Sequence, residues 1–170
     1  MRLNRRSVLM GTTVVATLGL WRAFGAPLFG PAPAEAAAGS FPVTLPDAEW
    51  EKRLDPKAFD VLRRSGTEWP FTSPLNREHR PGTFACAGCS SALFSSRTKF
   101  ESHTGWPSFW APLPGSVAGT RDVGLGMART EIHCATCGGH LGHVFRDGPQ
   151  PTGLRYCMNG VAMRFAPEAT

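Results

Sequence analysis

The chain has 170 residues, which is the length of one domain with a short additional segment. Glycine (19 residues) and proline (15 residues) are frequent, which indicates many turns and short strands. The net charge is +5, but residues 1–38 hold four of the basic residues and one acidic residue, so the remainder carries only +2. We therefore expect no nucleic-acid binding, because a polyanion-binding surface needs more positive charge, clustered on one face.

Residues 1–38 have the pattern of an export signal. Arg5 and Arg6 precede a moderately apolar stretch that extends to Leu20, and residues 34–38 contain A-x-A cleavage candidates. This arrangement resembles a twin-arginine signal, so we expect export to the periplasm. The alternative is an uncleaved signal that anchors the protein in the membrane. A linker over residues 39–45 and a single domain over residues 46–168 are expected to follow.

The first part of the domain predicts two short helices. Pro46 and Asp47, followed by further acidic residues, are typical of a helix start. Asp55 is a candidate N-cap for a second helix with apolar positions at 58, 59, 61 and 62. That helix is expected to end at residues 65–66, a Ser-Gly pair.

From residue 83 onward the sequence predicts short strands separated by Gly, Pro and Ser. The predicted strands are residues 83–85, 92–94, 99–101, 116–123, 127–134, 141–145, 154–158 and 161–165. Residues 124–126 (Gly-Leu-Gly) predict a hairpin turn. Strands of this length pack best as two small antiparallel sheets. The expected fold is therefore mainly β, with two antiparallel β-sheets and short N-terminal helices.

Four of the five cysteines form two C-x-x-C pairs, Cys86 with Cys89 and Cys134 with Cys137. Two such pairs are typical of one tetrahedral thiolate site, and Zn²⁺ suits it because it accepts that geometry and undergoes no redox change. Two disulfides are an alternative, favoured by an oxidising compartment. A redox-active C-x-x-C is a third possibility, although it does not explain the presence of two pairs.

The fifth cysteine, Cys157, lies in an apolar, strand-like run. A lone cysteine is often only a buried apolar side chain, and a fifth metal ligand is another interpretation. Its neighbours favour a reactive thiol: Arg155 and Asn159 share its face on a strand, and a positive charge lowers the pKa of a thiol. His140 and His143 form an H-x-x-H upstream. Their rings would lie on opposite faces of a regular strand, so we expect a bend near Gly142.

Seven ordered segments resemble the signature of the methionine-R-sulfoxide reductases, the MsrB family, and the resemblance covers residues 45–166. The segments are residues 66–68, 84–89, 93–100, 105–109, 129–132, 140–145 and 153–159. The resemblance implies a β-tent zinc fold with one structural ion, bound by the four paired cysteines. It also implies that Cys157 attacks the sulfoxide sulfur and becomes a sulfenic acid.

The same resemblance implies roles for other side chains. His140, His143 and Asn159 match positions that polarise and protonate the sulfoxide oxygen, which becomes more basic as the S–O bond breaks. Trp106 matches the ring that holds the terminal methyl group of the substrate. Phe109 and Arg155 are further candidates for substrate binding.

One position departs from many members of the family. Thr104 occupies the place of a second, resolving cysteine. We therefore expect a one-cysteine cycle in which an external, thioredoxin-like reductant regenerates Cys157. The expected substrates are oxidised proteins, and the expected state is a monomer. His103 lies close by in the sequence, and no role is assigned to it.

Two other classes of protein share some of these features. A zinc-stabilised binding module would need the four paired cysteines, but not Cys157, His140, His143 and Asn159 together. A nucleic-acid zinc ribbon would need a basic stripe with interleaved aromatic residues, which this sequence lacks.

Overall fold

The structure, a computed structural model, describes residues 41–123 and 128–169. The predicted export signal and the predicted turn at residues 124–126 lie outside the described residues. Within the described ranges, no helix has both the length and the apolar character that a membrane span requires.

Two helices begin the described domain, α1 (Asp47–Arg53) and α2 (Pro56–Arg64). The Asp55 side chain accepts hydrogen bonds from the backbone N–H groups of Lys57 and Ala58, which caps α2 as predicted. The helix ends at Ser65, whose φ of 55° lies in the left-handed region. Both predicted helices are therefore confirmed.

Nine strands among the described residues form two antiparallel sheets. They are β1 (Gly82–Cys86), β2 (Ala92–Ser95), β3 (Lys99–Phe100), β4 (Ser108–Phe109), β5 (Val117–Asp122), β6 (Arg129–Cys134), β7 (His140–Phe145), β8 (Arg155–Met158) and β9 (Met163–Pro167). The first sheet has the order β2-β1-β9, and the second has the order β3-β4-β8-β7-β6-β5. The prediction of a mainly β fold with two antiparallel sheets and short N-terminal helices is confirmed.

Most predicted strands agree with the structure to within one or two residues at each end, and two differences are informative. β4 has only two residues and no recognisable pattern, and it was not predicted. The last strand begins at Met163 rather than at residue 161, because Gly160–Ala162 form a 3₁₀ turn. The Glu68 carboxylate accepts the N–H groups of Gly160 and Val161, so these amides are engaged outside a strand ladder.

Aromatic side chains fill the space between the two sheets. Phe84 and Phe94 come from the first sheet, and Phe109 and Tyr156 come from the second. The Phe109 ring stacks on Phe94 with ring centroids 4.4 Å apart, and it meets Phe84 edge to face at 4.9 Å. Burial of each large ring contributes about 2–3 kcal/mol. Because side chains alternate along a strand, a buried Tyr156 directs the next residue, Cys157, to the opposite face of the second sheet.

Candidate active site

A row of side chains crosses the outer face of the second sheet. Cys157 on β8 lies opposite His143 on β7, and His143 lies opposite Glu131 on β6. On the other side, Ser108 on β4 lies opposite Cys157. Directly paired residues of antiparallel strands share one face, so the register brings Cys157, His143 and Glu131 together.

A β-bulge brings His140 to the same face. On β6, Ile132 and His133 are consecutive, but their partners on β7 are Gly142 and His140, so Leu141 is an extra residue. The bulge reverses the alternation of side chains, and the centroids of the His140 and His143 rings lie 5.5 Å apart. A Cβ at Gly142 would lie 2.1 Å from the carbonyl oxygen of Cys157, so only glycine fits there. The predicted bend near Gly142 is confirmed.

The face carries a cavity of about 520 Å³. Five of the residues singled out from the sequence line it: Cys157, His140, His143, Asn159 and Trp106. Residues that the sequence did not indicate as part of the site complete the lining: Ser65, Thr67, Asp122, Arg129, Glu131, Gly142 and Phe145. The fold therefore gathers these five candidates in one cavity.

Each histidine of the cavity has a carboxylate partner. Oε1 of Glu131 lies 2.6 Å from Nδ1 of His140, and Oδ2 of Asp122 lies 2.9 Å from Nε2 of His143. The hydrogen bond with His140 lowers the pKa of Glu131, so Glu131 is ionised at neutral pH. Burial lowers the pKa of His143 although Asp122 acts in the opposite direction, so His143 is neutral there.

Hydrogen bonds fix Asn159 and Trp106 in the cavity wall. Oδ1 of Asn159 accepts the N–H of Glu68 at 3.0 Å, and its Nδ2 donates to the carbonyl oxygen of Leu141 at 3.1 Å. An amide nitrogen has two hydrogens, so one N–H of Asn159 remains for a ligand. The Trp106 indole N–H donates to the carbonyl oxygen of Glu68 at 3.1 Å, which sets the orientation of the ring.

The four paired cysteines form a cluster whose geometry fits a metal ion. Their sulfur atoms all lie within 4.8 Å of one another, with Cys86 to Cys137 at 3.7 Å and Cys89 to Cys134 at 3.6 Å. A disulfide would need about 2.05 Å. Bonds of about 2.3 Å to a tetrahedral ion place the sulfurs about 3.8 Å apart, close to these distances. The alternative of two disulfides is therefore wrong for this structure, in which all five cysteines are free.

The cysteine cluster joins the two sheets and precedes a catalytic candidate. Cys86 ends β1 of the first sheet, and Cys134 ends β6 of the second. Hydrogen bonds from Cys137 and Cys86 lower the pKa of Cys134, whereas bonds with Cys134 and Cys137 raise the pKa of Cys86. The thiols therefore do not all ionise together without a cation, which is what a metal supplies. His140 follows Cys137 by three residues, so the cluster fixes the start of β7.

Comparisons with known proteins agree with this geometry. Residues 54–167 match the family described as the SelR domain. The chain is 50% identical over 130 residues to "Peptide methionine sulfoxide reductase MsrB" of Leptospira interrogans, covering 76% of this chain and 99% of that protein. It is 53% identical over 126 residues to the protein of the same name from Agrobacterium fabrum, covering 74% and 93%. A Pseudomonas putida protein of that name is 55% identical over 121 residues, covering 71% and 91%.

The chain belongs to the MsrB family. The resemblance inferred from the seven segments is confirmed, and the cysteine cluster is consistent with the metal site of the MsrB family. Outside the family match lie residues 1–53, which include the predicted export signal.

Two substrate-binding candidates lie outside the cavity of this MsrB domain. Phe109 is fully buried between the sheets, where it has no surface to offer a ligand, so its position does not favour the predicted role. Phe145 is the second aromatic side chain that lines the cavity together with Trp106. Arg155 forms a bidentate ion pair with Asp147 at 2.9 and 2.7 Å and lies over the Phe145 ring, so it supports the cavity from outside.

The environment of Cys157 differs from the sequence-based expectation. Burial raises the pKa of Cys157, while the hydroxyl of Thr104 and the charge of Arg155 act in the opposite direction. The net shift is therefore opposite to the one expected from Arg155 alone. Two causes are visible: the thiol lies in a cavity, and Asp147 pairs with the Arg155 charge.

Thr104, at the position where the family resemblance led us to expect a second cysteine, lies next to the Cys157 thiol. Its Oγ1 lies 3.9 Å from Sγ of Cys157 and 2.9 Å from Oγ of Ser102. Ser102 in turn bonds Oγ of Ser108 at 2.7 Å, so three hydroxyls form a chain that ends at Cys157. The neighbouring His103 is 87% exposed, and it contacts Glu101 rather than the cavity.

Proposed function

We propose that this protein reduces the R epimer of methionine sulfoxide in oxidised proteins to methionine. One observation carries the proposal: the single cysteine outside the metal cluster lies in a cavity with two carboxylate-paired histidines, an amide donor and an indole ring. The curated relatives, which cover most of this chain, carry the name peptide methionine sulfoxide reductase.

The first step forms an S–O bond at Cys157 and breaks the one in the substrate. The Cys157 sulfur attacks the sulfoxide sulfur and forms an S–S bond, and the protonated oxygen leaves as water. Water then attacks the Cys157 sulfur and breaks the S–S bond, which releases methionine and leaves Cys157 as a sulfenic acid. Cys157 is oxidised by two electrons and the sulfoxide is reduced by two. The oxygen needs protons as its bond to sulfur weakens, so hydrogen-bond donors around it lower the barrier.

The two histidines are suited to different tasks in that step. Glu131 holds Nδ1 of His140 at 2.6 Å and orients the ring, so Nε2 of His140 is the nitrogen that faces the substrate oxygen. His143 is neutral because of its lowered pKa, and it positions the oxygen together with the free N–H of Asn159. The Trp106 and Phe145 rings offer the apolar surface that the terminal methyl group requires.

The second half of the cycle uses an external thiol. A thiol attacks the sulfenic acid, water leaves, and a mixed disulfide forms; a second thiol then releases Cys157 and leaves a disulfide on the reductant. The other four cysteines of this chain belong to the metal cluster, so a thioredoxin-like protein is the reductant we propose.

The test uses purified protein, dithiothreitol, and the separate R and S epimers of a methionine-sulfoxide peptide. Reduction of the R epimer alone is expected, and reduction of the S epimer alone would contradict the proposal. The Cys157→Ser variant is the matched control, since it should remain folded and metal-loaded but lose activity. A variant that kept its activity would rule out Cys157 as the nucleophile and favour another site.

A single turnover without reductant tests the one-cysteine cycle. Mass spectrometry should then find one added oxygen at Cys157. A disulfide between Cys157 and any of the four paired cysteines would contradict it.

We propose that the ion in the cysteine cluster is zinc and that it is structural. Zn²⁺ accepts four thiolates in tetrahedral geometry without redox change, which suits a scaffold next to a redox site. Elemental analysis should find one zinc per chain, and iron in its place would contradict the assignment.

We also propose that residues 1–38 direct export by the twin-arginine route. Replacing Arg5 and Arg6 with lysine should retain the protein in the cytoplasm, as measured by cell fractionation. Export of that variant at the native level would contradict the proposal, and a mature protein with an intact N-terminus would favour the membrane anchor.

A further inference from the structure

Two exposed aromatic side chains lie next to the cavity. Trp69 is 82% exposed and Phe71 is 70% exposed, and both belong to the short segment that follows Glu68. Among the described residues, Val123 is the other large hydrophobic side chain that is exposed to this degree. Neighbouring exposed rings are unusual on a protein surface and often mark an interaction site.

Hydrogen bonds hold the segment that carries Trp69 and Phe71 in a defined conformation. Phe71 has a φ of 66°, a left-handed conformation that is rare for a bulky residue. Its N–H donates to the carbonyl oxygen of Gly105 at 2.7 Å, and the Thr72 hydroxyl donates to the carbonyl oxygen of Trp69 at 2.7 Å. A strained backbone that the surroundings hold in place occurs most often at functional sites.

The same segment is built into the cavity wall. The Glu68 carbonyl accepts the indole N–H of Trp106, and a Cβ on Gly105 would lie 2.7 Å from Cβ of Pro70. The residue pair Gly105–Trp106 therefore packs directly on the segment that bears Trp69 and Phe71. The same packed segment therefore holds the exposed rings of Trp69 and Phe71 and the part of the cavity wall formed by Trp106.

A second groove lies beside Trp69. It has a volume of about 470 Å³, and its lining includes Thr67, Trp69, Thr72 and Val161. Thr67 also lines the catalytic cavity, so the groove adjoins the cavity at this residue. A ligand that fills the cavity and extends past Thr67 enters the groove.

We propose that the groove and the two rings bind the polypeptide on one side of the methionine sulfoxide, and that they accept an apolar or aromatic side chain of an oxidised, locally unfolded protein. This inference rests on the proposed function. An extended chain advances by about 3.3–3.6 Å per residue, so a residue one or two positions from the sulfoxide reaches beyond the cavity. Free methionine sulfoxide would leave the rings uncovered, and its charged ammonium and carboxylate groups gain nothing from apolar surface.

The experiment compares N-acetyl-methionine R-sulfoxide with pentapeptides that carry the same sulfoxide at their centre. One peptide has glycine at the other four positions, and four further peptides place a single Phe at one of them. With dithiothreitol as reductant, the native protein should favour at least one Phe peptide over the glycine peptide. The Trp69→Ala variant should lose about tenfold in kcat/KM on that peptide and change within about twofold on the N-acetyl compound.

Three variants serve as controls for that result. Trp69→Phe keeps an aromatic ring and should keep most of the preference. Val123→Ala removes an exposed apolar side chain outside the groove lining and should leave the preference unchanged. Phe71→Asn removes the second ring while retaining a residue type that tolerates positive φ, and it should weaken the same peptide selectively.

Each contrary outcome has a distinct meaning. Equal kcat/KM for all peptides with the native protein would overturn the subsite and leave the proposed function standing. An equal loss on the N-acetyl compound and on the Phe peptide in Trp69→Ala would also overturn it. If Trp69→Ala left the peptide kinetics unchanged but raised the KM for a thioredoxin, the rings would bind the reductant rather than the substrate, and the proposed subsite would be overturned. A native protein inactive on every R-sulfoxide would overturn the proposed function, and the subsite with it.

Discussion

The Glu131 carboxylate lies 2.6 Å from Nδ1 of His140, although the two residues are on neighbouring strands and His140 is displaced by a bulge. This contact sets which nitrogen of His140 is free to face the cavity. It also holds the ring in one orientation, which the proposed proton transfer needs.

The Glu131→Gln variant is therefore expected to lose activity without losing its fold. An amide forms a weaker hydrogen bond with the His140 ring than a carboxylate does and holds the ring less firmly, so kcat on an R-sulfoxide peptide should fall about 10- to 100-fold, with a smaller change in KM. Steady-state kinetics provides the measurement. Glu101→Gln is the control, because Glu101 is exposed and contacts the exposed His103, and this variant should match the native protein. Equal activity in both variants would show that the contact is only structural.

The same contact predicts a pH dependence of stability. Because the hydrogen bond with His140 lowers the pKa of Glu131 from its ordinary 4.5, the contact stabilises the folded state fully above that pH. The stabilisation is lost as the pH falls through the lowered value. Urea unfolding should show the native protein about 1–2 kcal/mol more stable than Glu131→Gln at neutral pH, with the difference shrinking in acid. A difference that stayed constant down to about pH 3 would contradict this assignment.

Thr104 is expected to assist ionisation of the reactive thiol. Its hydroxyl lies 3.9 Å from Sγ of Cys157 and lowers the pKa of a thiol that burial otherwise raises. Thr104→Val keeps the shape and removes the hydroxyl, so alkylation of Cys157 by iodoacetamide at pH 8 should slow by about two- to tenfold. Thr104→Ser, which retains the hydroxyl, should react at nearly the native rate. Identical rates for all three proteins would exclude this contribution.

The distance between Thr104 and Cys157 also predicts what a cysteine at residue 104 would do. A sulfur there would need only a small rotation to reach Cys157 from the present 3.9 Å. After one turnover without reductant, Thr104→Cys should hold an intramolecular disulfide instead of a sulfenic acid. Mass spectrometry of the digested protein distinguishes the two products. A persistent sulfenic acid in this variant would show that the cavity holds the two side chains apart.

Removal of the metal is expected to affect the whole domain. Structural zinc sites contribute about 10–16 kcal/mol of apparent binding free energy, which rivals the 5–15 kcal/mol that stabilises a typical domain. A chelator that removes the ion should abolish cooperative thermal unfolding, and Cys89→Ser should do the same. Cys157→Ser should bind metal and unfold like the native protein, because Cys157 is not in the cluster. A chelated protein with an unchanged unfolding curve would contradict the structural role.

Features that depend on neighbouring residues could be predicted from the sequence. A few consecutive residues determine each of three features: the Asp55 cap, the end of α2 at Ser65 and the two cysteine pairs. The side chains of Cys157, His140 and His143 are of types that suit a redox site, and their positions match the signature of the MsrB family. In each of these cases, residues close together in the sequence were sufficient for the prediction.

Features that depend on strand register could not be predicted in this way. Glu131 and Asp122 act through contacts across strands, and no local pattern indicates which histidine each one meets. Whether Phe109 faces the core or the cavity depends on the orientation of β4. With two residues, β4 is too short for an alternating pattern of apolar and polar side chains to be recognised in the sequence. The sign of the Cys157 pKa shift depended on burial, which follows from the packed fold rather than from nearby charges.

The raised pKa of Cys157 has a consequence for the sensitivity of this cysteine to oxidants. Small oxidants such as hydrogen peroxide react with the thiolate and hardly with the thiol, so a cysteine that stays protonated at rest is a poor target for them. For the proposed reductase, we expect a resting thiol to limit overoxidation of Cys157 under the oxidising conditions that create its substrate.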